Sequence, residues 1–570
     1  MRTVSLLCLA MVLAACAADD TPPPLSADQQ YAALASEYID GYFAFRPVYA
    51  SRLGVHKYED RLPDYSPRAV EEELLRIDQF REKLSSIPAG GLSPLNLADL
   101  EALKDAIDAW YSRLTQKPVF KRDPLFYNDL IVESIELVLR RDYAPAAIRM
   151  EALVARLQQV PRLLDAARVN LTEVPEVLRA ASEAPLINAM HMLRERTSSR
   201  ILTQMSKQLP EHYEAALINA VNAYVDFYLF VARPLKRKTV DSCSFGRQLF
   251  FERWRQEESI SSDVESMLEL CASSREIVLE RMKEVALLIN PEKSMPEILV
   301  ELGDHHESVK GTTDRAAQAA EQLKEFVRRK DLLTLPEEGS TRLKIMDPDP
   351  RTYAILSILP PGVFDAQCGT GYVSVNPIPP FCEIEPDRVA ALRFFTPYSI
   401  ALLITGAAIP GNFTQTIAAR GAGTLVREIS ECVTCSQGWA QYCREMIIDA
   451  GFDPRPEALL IQLHMNLMEI NRLELSTRIH CLDLSTEAAI EFLLTQSFIT
   501  APMARRELID IVRDTKAGAG FVGGAQILQL RDLYLSRDER RTLKSFHDLL
   551  LSSGQAPISI LAGRLFGESM

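Results

Sequence analysis

Apolar positions along this chain recur mostly at spacings of three and four residues, which is the period of an amphipathic helix. The first clear helix begins at a capping-box pattern, Ser26 with Gln29, and is expected to end before Pro47. Its apolar face carries Tyr31, Leu34, Tyr38 and Tyr42. Comparable segments follow over much of the chain. The pattern predicts a mainly α protein in which most helices serve to form a core.

The pattern changes between residues 345 and 387, which are rich in proline and glycine and carry one clear β signal at residues 372–375. We interpret this segment as a seam between an N-terminal helical lobe, residues 27–344, and a C-terminal helical lobe, residues 388–570. The strand either lines a cleft and pairs with an extended peptide or belongs to a short structural hairpin. The prediction is therefore a two-lobed helical fold with a β element near a cleft.

The first residues indicate export from the cytoplasm. Arg2 precedes a short apolar run that ends in Leu13-Ala14-Ala15-Cys16, the order found in a signal peptide with a lipoprotein cleavage site. Residues 1–15 are the predicted signal peptide, Cys16 the lipidated residue and residues 16–26 a tether; the alternative is a plain signal peptide with an incidental cysteine. Ala17 favours the outer membrane, with the body facing the periplasm. No later apolar run is expected to reach the roughly 18 residues of a spanning helix.

Composition excludes some partners and leaves disulfides open. The 570-residue chain has a net charge of −14 and no stripe of Lys and Arg, which argues against nucleic acid as a partner. Eight cysteines follow Cys16, and in an oxidising compartment some are expected to pair. Cys368 with Cys382 is the first candidate pair, although spacing alone does not establish it.

Three local motifs match patterns of functional sites but are only weak evidence for such sites. Residues 518–523 match the Gly-x-Gly-x-x-Gly dinucleotide pattern, but a charged helical segment precedes them instead of a buried strand, so we predict a loop. Cys432, Cys435 and Cys443, with His480, form either a soft-metal or redox site or simply buried thiols or a disulfide. The pair at residues 305 and 306, both His, is predicted to be a solvated helix end.

Several segments together carry a family resemblance. They are "DGYFAFRPVYASRLGVHKYEDRLPDYS", "APAAIRMEALVARLQQVPRLLDAARVNL", "YVSVNP", "IPGNFTQ", "QGWAQY" and "AQILQLRDLY", in that order along the chain. The chain resembles the bacterial domain-of-unknown-function family numbered 885 over about residues 30–535. The resemblance implies an all-helical fold of the zinc metallopeptidase type.

The family's metal motif is degenerate in this sequence. It reads His-Glu-x-x-Pro-Gly-His-His-Leu-Gln, followed by Glu-Gly-Trp-Ala, and the resemblance implies zinc ligands and a water-activating carboxylate at these positions. A gapless alignment on the Pro-Gly pair puts other residues there: Gly406, Ala407, Asn412, Phe413 and Gln437. Because these residues suit neither task, no zinc or other cofactor is expected. If the motif stays helical, the Phe413 ring is expected to cover the space at Gly406.

A second family block, of the type Pro-Gly-Gln-Ala-Leu-x-Tyr-Lys-x-Gly, aligns with residues 514–523, where only Gly523 clearly survives. Arg472 and His480 match a family Arg and His, so the cleft keeps some of its residues; both are alternatively structural. The residues considered for substrate binding are Tyr372, Ser374, Asn376, Arg472 and His480.

The sequence thus favours a lipid-anchored periplasmic protein that has a peptidase-like fold and acts by binding or scaffolding, with a peptide or protein as its ligand. One alternative is a hydrolase with a relocated site that includes Cys432, Cys435, Cys443 and His480. The second alternative is a purely structural envelope protein.

Overall fold

The N-terminal part of the molecule is a bundle of nine helices in the described residues. A computed structural model describes residues 25–204, 212–336, 341–365, 369–420, 424–429 and 432–566. Ser26 begins the first helix as half of a capping box, and serines at positions 66 and 93 cap two helices that start with proline. The helices are α1 (Ala27–Phe45), α2 (Pro47–Leu53), α3 (Pro67–Ser85), α4 (Pro94–Thr115), α5 (Val119–Arg122), α6 (Pro124–Arg140), α7 (Ala146–Asn170), α8 (Glu176–Gln204) and α9 (Tyr213–Ala232).

The remaining chain adds four helices, a small sheet and a second set of helices. The four helices are α10 (Arg247–Glu258), α11 (Val264–Ile289), α12 (Met295–Asp304) and α13 (Val309–Lys330). The strands are β1 (Arg342–Met346), β2 (Leu356–Leu359) and β3 (Thr370–Val375). The C-terminal helices are α14 (Glu385–Leu392), α15 (Pro397–Ala407), α16 (Asn412–Ala418), α17 (Leu425–Glu428), α18 (Val433–Asp449), α19 (Pro456–Leu482), α20 (Thr486–Gln496), α21 (Ala501–Arg513), α22 (Ala519–Ser536), α23 (Leu543–Leu551) and α24 (Ile558–Phe566).

The predicted β signal is the central strand of a three-stranded sheet with the order β1-β3-β2. Strand β1 pairs with β3 in parallel, with Lys344 opposite Tyr372, and β2 pairs in the antiparallel sense, with Ser357 opposite Ser374. The segment from Tyr372 to Ser374 therefore has a neighbouring strand on both sides. The idea of a lone strand that pairs with a peptide was wrong, because no edge of this segment is free.

Two apolar cores divide the chain at a different place from the predicted seam. The first core takes residues from Tyr31 to Leu235, with Val426. The second core takes the inner faces of α11, α12 and α13, the sheet and the C-terminal helices. A smaller cluster, including Trp254 and Leu473, joins α10 and α11 to α19 and α22. Helices α10 to α13, assigned above to the N-terminal lobe, thus pack with the C-terminal part.

Two segments of the described chain are long and apolar enough to cross a membrane by length and composition, Tyr213–Arg237 and Pro397–Ala418. The expectation that no such run follows the signal peptide was therefore wrong on these two criteria. The second segment is 78% buried and contributes to the second core, as a core helix does. In the first segment, the inner face of α9 packs in the first core through Tyr224 and Phe227. The signal peptide and Cys16 lie outside the described residues.

Candidate functional site

The family motif lies at a break between two buried helices. Helix α15 ends at Ala407, the Ile409-Pro410 peptide bond is cis, and α16 begins at Asn412. A Cβ atom at Gly411 would lie 1.9 Å from the carbonyl oxygen of Gly406, so only glycine fits there. The Trp439 indole donates to the Pro410 carbonyl at 3.0 Å. The Pro-Gly pair thus forms the turn between α15 and α16, and the Gly-Trp-Ala segment, in α18, holds that turn through Trp439.

The space beside Gly406 is taken by a guanidinium group. A Cβ at Gly406 would lie 2.8 Å from Nη1 of Arg444. The Phe413 ring packs elsewhere: a Cβ at Gly371, in strand β3, would meet its Cε2 at 2.3 Å. The expectation that Phe413 covers Gly406 was wrong, because the helix is interrupted between the two residues.

The residues at the family's ligand positions do not fit a zinc ion. Gly406 and Ala407 have no ligand atoms, and the amide groups of Asn412 and Gln437 are poor ligands compared with His or a carboxylate. The main chain and Cβ of Gln437 pack against Gly520. In the part of the chain that the structure describes, no group of three or more His, Cys, Asp or Glu side chains is placed to hold a metal.

Hydrogen bonds fill the region around Arg444. Its Nη2 donates to Oε1 of Gln441 at 2.5 Å, and the Gln441 amide donates to Glu445 at 3.0 Å. Asn466 donates to the same Glu445 oxygen at 2.8 Å. Burial lowers the pKa of Arg444, an effect that the nearby carboxylates of Glu469 and Glu445 oppose. The motif region is thus a polar network of internal hydrogen bonds, in which Nε of Arg444 and Oε2 of Glu469 lack partners.

Arg472 is an internal ion-pair residue. Its Nη2 donates to Glu507 at 2.7 Å, its Nε contacts the same carboxylate, and its Nη1 donates to Glu469 at 3.2 Å. Burial opposes the charged form, but the two carboxylates outweigh it and raise the pKa of Arg472. The bidentate pair with Glu507 satisfies the geometry of the guanidinium.

His480 is fully buried and structural. Its Nε2 contacts the carbonyl oxygen of Ile511 at 3.0 Å, and its ring packs on Phe245 and Phe250. Burial lowers the pKa of His480 to about 4, so the ring is neutral.

The three candidates at the strand also use their polar groups internally. The Tyr372 hydroxyl donates to the Arg140 carbonyl at 2.8 Å, and Ser374 donates to Asn376 at 3.2 Å. The Asn376 amide donates to the Ala354 carbonyl at 2.9 Å. No contact joins these three residues to Arg472 or His480 in the described chain, so the five candidates do not form one site.

The cysteines of the described chain are free thiols. Cys432 donates to the Glu258 carboxylate at 3.2 Å, and burial raises the pKa of Cys435 to about 12. Burial also holds the pKa values of Cys432 and Cys443 well above the ordinary value. These thiols are protonated and inert at neutral pH. Cys382 is free and buried, whereas Cys368 lies outside the described residues.

The glycine-rich segment 518–523 brings two helices into contact. Gly518 adopts a left-handed conformation and caps α22, which starts at Ala519, so the predicted loop is mostly helix. A Cβ at Gly523 would lie 1.9 Å from the Thr434 carbonyl, and one at Gly438 would meet Gly523 at 2.5 Å. The retained Gly523 thus permits α18 and α22 to cross closely. His305, the C-cap of α12, confirms the predicted helix end.

A cavity of about 600 Å³ lies between the first core and the C-terminal helices. Elements α1, α2, α4 and α6 form one wall, and α10, α17, α21 and α24 form the other. Aromatic side chains line much of it: Tyr42, Tyr49, Tyr65, Trp110, Phe120, Phe126 and Phe245. Sequence reasoning missed this cavity. The available signal was the family-like opening segment, which supplies Tyr42, Tyr49 and two arginines to the wall.

Most of the charges in this wall are neutralised within the protein. Arg52 forms a bidentate pair with Glu133 at 2.5 and 2.6 Å, and Arg427 pairs with Asp99 at 2.7 Å. Arg513 donates to Asp129 at 2.6 Å and also to Asp123. Arg113 pairs with Glu257: burial opposes the charge, but Arg113 and Lys516 outweigh it and lower the pKa of Glu257 to about 2.

Comparison with known proteins identifies the family. The model of the bacterial proteins of unknown function called DUF885 matches residues 47–565, so the chain belongs to this family. Two solved structures share the fold. One, described as "a putative lipoprotein of unknown function" from Shewanella oneidensis, has a TM-score of 0.71 and 19% identity over 93% of this chain and 98% of its own. The other, described as "the putative lipoprotein from Colwellia psychrerythraea", has a TM-score of 0.75 and 16% identity over 95% and 99%. No curated protein matches.

Proposed function

We propose that this member of the DUF885 family is a lipid-anchored envelope protein that binds a ligand and has lost the family's implied metal chemistry. The Leu-Ala-Ala-Cys sequence that ends at Cys16 supports the anchor. The descriptions of the two structural relatives as lipoproteins also support it. We propose that the anchor lies in the outer membrane and that the protein faces the periplasm, because Ala17 follows the lipidated Cys16.

The position of Arg444 carries the non-catalytic part of the proposal. Its Nη1 lies 2.8 Å from where a Cβ of residue 406 would be, which is where the resemblance expects the first histidine ligand. A guanidinium there must shift before a ligand side chain can enter, and it repels a divalent cation. The absence of ligand atoms at the family positions and the cation in the same space support a retired site.

Metal content and peptide hydrolysis test this part. A lipid-free form of the chain, starting at residue 17, is offered zinc and dialysed, and its zinc content is measured by elemental mass spectrometry. Hydrolysis of a peptide library by the same protein is followed with and without a chelator. We expect far less than one zinc per chain and no chelator-sensitive cleavage. About one zinc per chain, or cleavage that a chelator stops, would overturn the proposal.

A matched pair of variants sharpens the result. Gly406→His with Ala407→Glu and Asn412→His restores three family residues but keeps Arg444, so zinc binding is expected to stay absent. Adding Arg444→Ala removes the cation and should increase zinc uptake. Equal uptake by both variants would show that Arg444 does not block the site.

The anchor has its own test. Cells that express the chain are labelled with a palmitate analogue, and membranes are separated on a density gradient. We expect label on the wild type, none on Cys16→Ser, and the wild type in the outer-membrane fraction. Label that persists in Cys16→Ser would refute the assigned residue, and a soluble unlabelled wild type would refute the anchor.

The two alternatives have less support. A relocated hydrolase site at Cys432, Cys435, Cys443 and His480 would need a reactive thiolate or metal ligands. The thiols are buried and protonated, and His480 packs between phenylalanine rings. A purely structural role would leave the cavity between the two cores without a purpose, and the chemistry of that cavity is considered next.

A further inference from the structure

Three cationic side chains converge on Phe245, at one end of the cavity. The guanidinium of Arg122 lies 4.6 Å and that of Arg253 4.4 Å from the centre of the Phe245 ring. The ammonium group of Lys117 donates to the neighbouring Ser244 carbonyl at 2.7 Å. The exposed fractions of Arg122 and Arg253 are only 4% and 7%. This group is called the Phe245 cation cluster below.

The cluster lacks carboxylate partners. Throughout the described residues, no Asp or Glu forms an ion pair with Lys117, Arg122 or Arg253, although other buried arginines have such pairs. Burial is the largest cause that lowers the pKa of all three groups. For Arg253, burial and the charge of Arg113 outweigh the carboxylates of Glu257 and Asp514 and lower the pKa to about 10. Burying a charge without a direct partner is unfavourable.

Arg253 connects this cluster to the cavity. It is the member of the cluster that lines the cavity, together with Phe245. Its Nη2 donates to the Gln116 carbonyl at 3.2 Å, while its Nε is buried and has no hydrogen-bond partner. A buried N–H of a charged group without an acceptor is unfavourable. Nε of Arg156 and Nη2 of Arg506 also lack acceptors, but neither residue lines the cavity, whereas Arg253 does. An acceptor from a molecule in the cavity would satisfy the Nε of Arg253.

Two further atoms of the cavity wall lack partners. Oδ2 of Asp99 and Oε1 of Gln256 are buried acceptors without donors, although Oδ1 of Asp99 is bound to Arg427. The rest of the wall is largely aromatic. The wall thus offers one buried donor without an acceptor, two acceptors without donors and flat apolar surfaces, in a volume typical of small-molecule sites.

We propose that this cavity binds a small organic acid with a single carboxylate and an aromatic or alicyclic body, with the carboxylate on Arg253 and the ring against the aromatic side chains of the wall. Hydroxyl or amide donors on the ligand would meet Asp99 and Gln256. This inference rests on the proposed binding function and names its ligand class.

The charge balance favours a carboxylate over a phosphate. The residues that line the cavity include six arginines and six carboxylates, so the wall has no surplus positive charge for a doubly charged anion. A phosphate monoester carries about −1.5 to −2 charges at neutral pH. The vacant Nε of Arg253 offers one donor, which suits a single carboxylate.

A matched pair of probes tests the inference on the mature protein. The acid 3-phenylpropionate and the amide 3-phenylpropionamide have nearly the same shape, and binding is measured by calorimetry. A panel of aromatic and alicyclic monocarboxylates, each with its amide, extends the test. We expect at least one acid to bind, and to bind more than tenfold more tightly than its amide.

Variants then assign the site. Arg253→Gln should remove the preference for the acid, whereas Arg253→Lys should keep part of it because the positive charge remains. The control is Arg68→Gln, whose guanidinium is 88% exposed and remote from the cavity wall. Trp110→Phe should remove a ligand-induced change in fluorescence but leave calorimetric binding, since the other two tryptophans, Trp254 and Trp439, do not line the cavity.

Each contrary outcome refutes a stated step. No binding by any acid of the panel, tighter binding of phenyl phosphate, or equal binding of acid and amide would overturn the ligand class. Acid preference that survives Arg253→Gln in a folded protein would overturn the assigned site. Zinc-dependent cleavage would instead overturn the proposed function, whatever the acids do, so the two failures are distinguishable.

Discussion

The molecule has two buried regions that contain arginines, and the two differ in whether carboxylates of the protein neutralise these arginines. Around the former metal motif, Arg472 is held by two carboxylates and Arg444 by the Gln441 amide, with two acids nearby. At the cavity, Arg253 has no carboxylate within ion-pair distance among the described residues and a vacant Nε. The two regions thus differ in how Arg472 and Arg253 are neutralised, although the first region also has unpartnered atoms, Nε of Arg444 and Oε2 of Glu469.

The region that carries the family resemblance is therefore different from the region proposed to bind a ligand. The motif region carries the family resemblance, yet its polar groups mostly bind one another. The cavity wall draws on residues that no motif marks, and its unmet hydrogen-bonding groups point to a ligand. The two regions therefore bear on different parts of the proposal: the motif positions bear on the metal chemistry, and the unpartnered groups that line the cavity bear on ligand binding.

The largest expected effect on stability comes from removing the cation of Arg472 from the region of the family motif. Arg472→Met would leave Glu507, which is 1% exposed, and Glu469 without their shared partner. We expect the free energy of unfolding to fall by about 3–5 kcal/mol, the usual effect of breaking a buried pair. Urea denaturation followed by circular dichroism measures it.

The double variant Arg472→Met with Glu507→Leu is its control, because it removes both charges of the main pair. It should recover part of the lost stability. A single variant as stable as the wild type would show that the motif region does not depend on its internal pairs.

A slightly smaller effect is expected from the helix crossing that closes the same region. Gly523→Ala would place a Cβ 1.9 Å from the Thr434 carbonyl, so α18 and α22 must move apart. We expect a loss of about 3 kcal/mol, at the upper end of overpacking effects. The matched control is Gly90→Ala, where a Cβ meets nothing within 4 Å. Similar melting temperatures for the two variants would contradict the close crossing.

Much of the fold was readable from the chain. The capping box at Ser26 and the Ser-Pro helix starts act locally, so they predict helix boundaries without tertiary information. Strand β3 was recognised from its β-branched and aromatic residues. Strands β1 and β2 were missed: β1 lies more than twenty residues away in sequence, and neither strand has a distinct period. The sequences of helices α10 to α13 do not indicate which of the two cores these helices pack against.

The candidate site was much less predictable. The alignment assigned residues to the family motif, but the break after Ala407 and the approach of Arg444 depend on the packing of separate helices. Arg253 reads in sequence as an ordinary helical arginine with glutamates at nearby positions. That it pairs with none of them, and faces a cavity, follows only from the three-dimensional arrangement.

An ion pair outside the cavity lining tests whether a buried charge next to wall helix α2 is neutralised within the protein. His56, which follows α2, contacts Glu59 at 2.9 Å and Asp365 at 2.8 Å. Burial alone would lower the pKa of His56, but these two contacts outweigh it and raise the pKa to about 9. Because the folded pKa exceeds the unfolded value, the stabilisation is complete below about pH 6.5 and disappears as the pH rises through 9.

We therefore expect the wild type to lose about 1–2 kcal/mol between pH 6.5 and 9 relative to His56→Gln, a value reduced for the partial exposure of the ring. Urea titrations of both proteins across this range measure the difference. Parallel pH profiles would show that His56 is not held by the two carboxylates.

The smallest expected change in stability is that of Arg253→Met, and its sign is opposite to that of Arg472→Met. It tests directly whether the two regions differ. Arg253→Met keeps an apolar chain against Phe245 but removes a buried cation that has no carboxylate partner. Without ligand, the variant should be as stable as the wild type or more stable by about 1 kcal/mol. With a bound acid the order should reverse, because only the wild type is stabilised by the ligand. A loss of stability in the ligand-free variant, comparable with that of Arg472→Met, would show that Arg253 is neutralised within the protein and that the two regions do not differ.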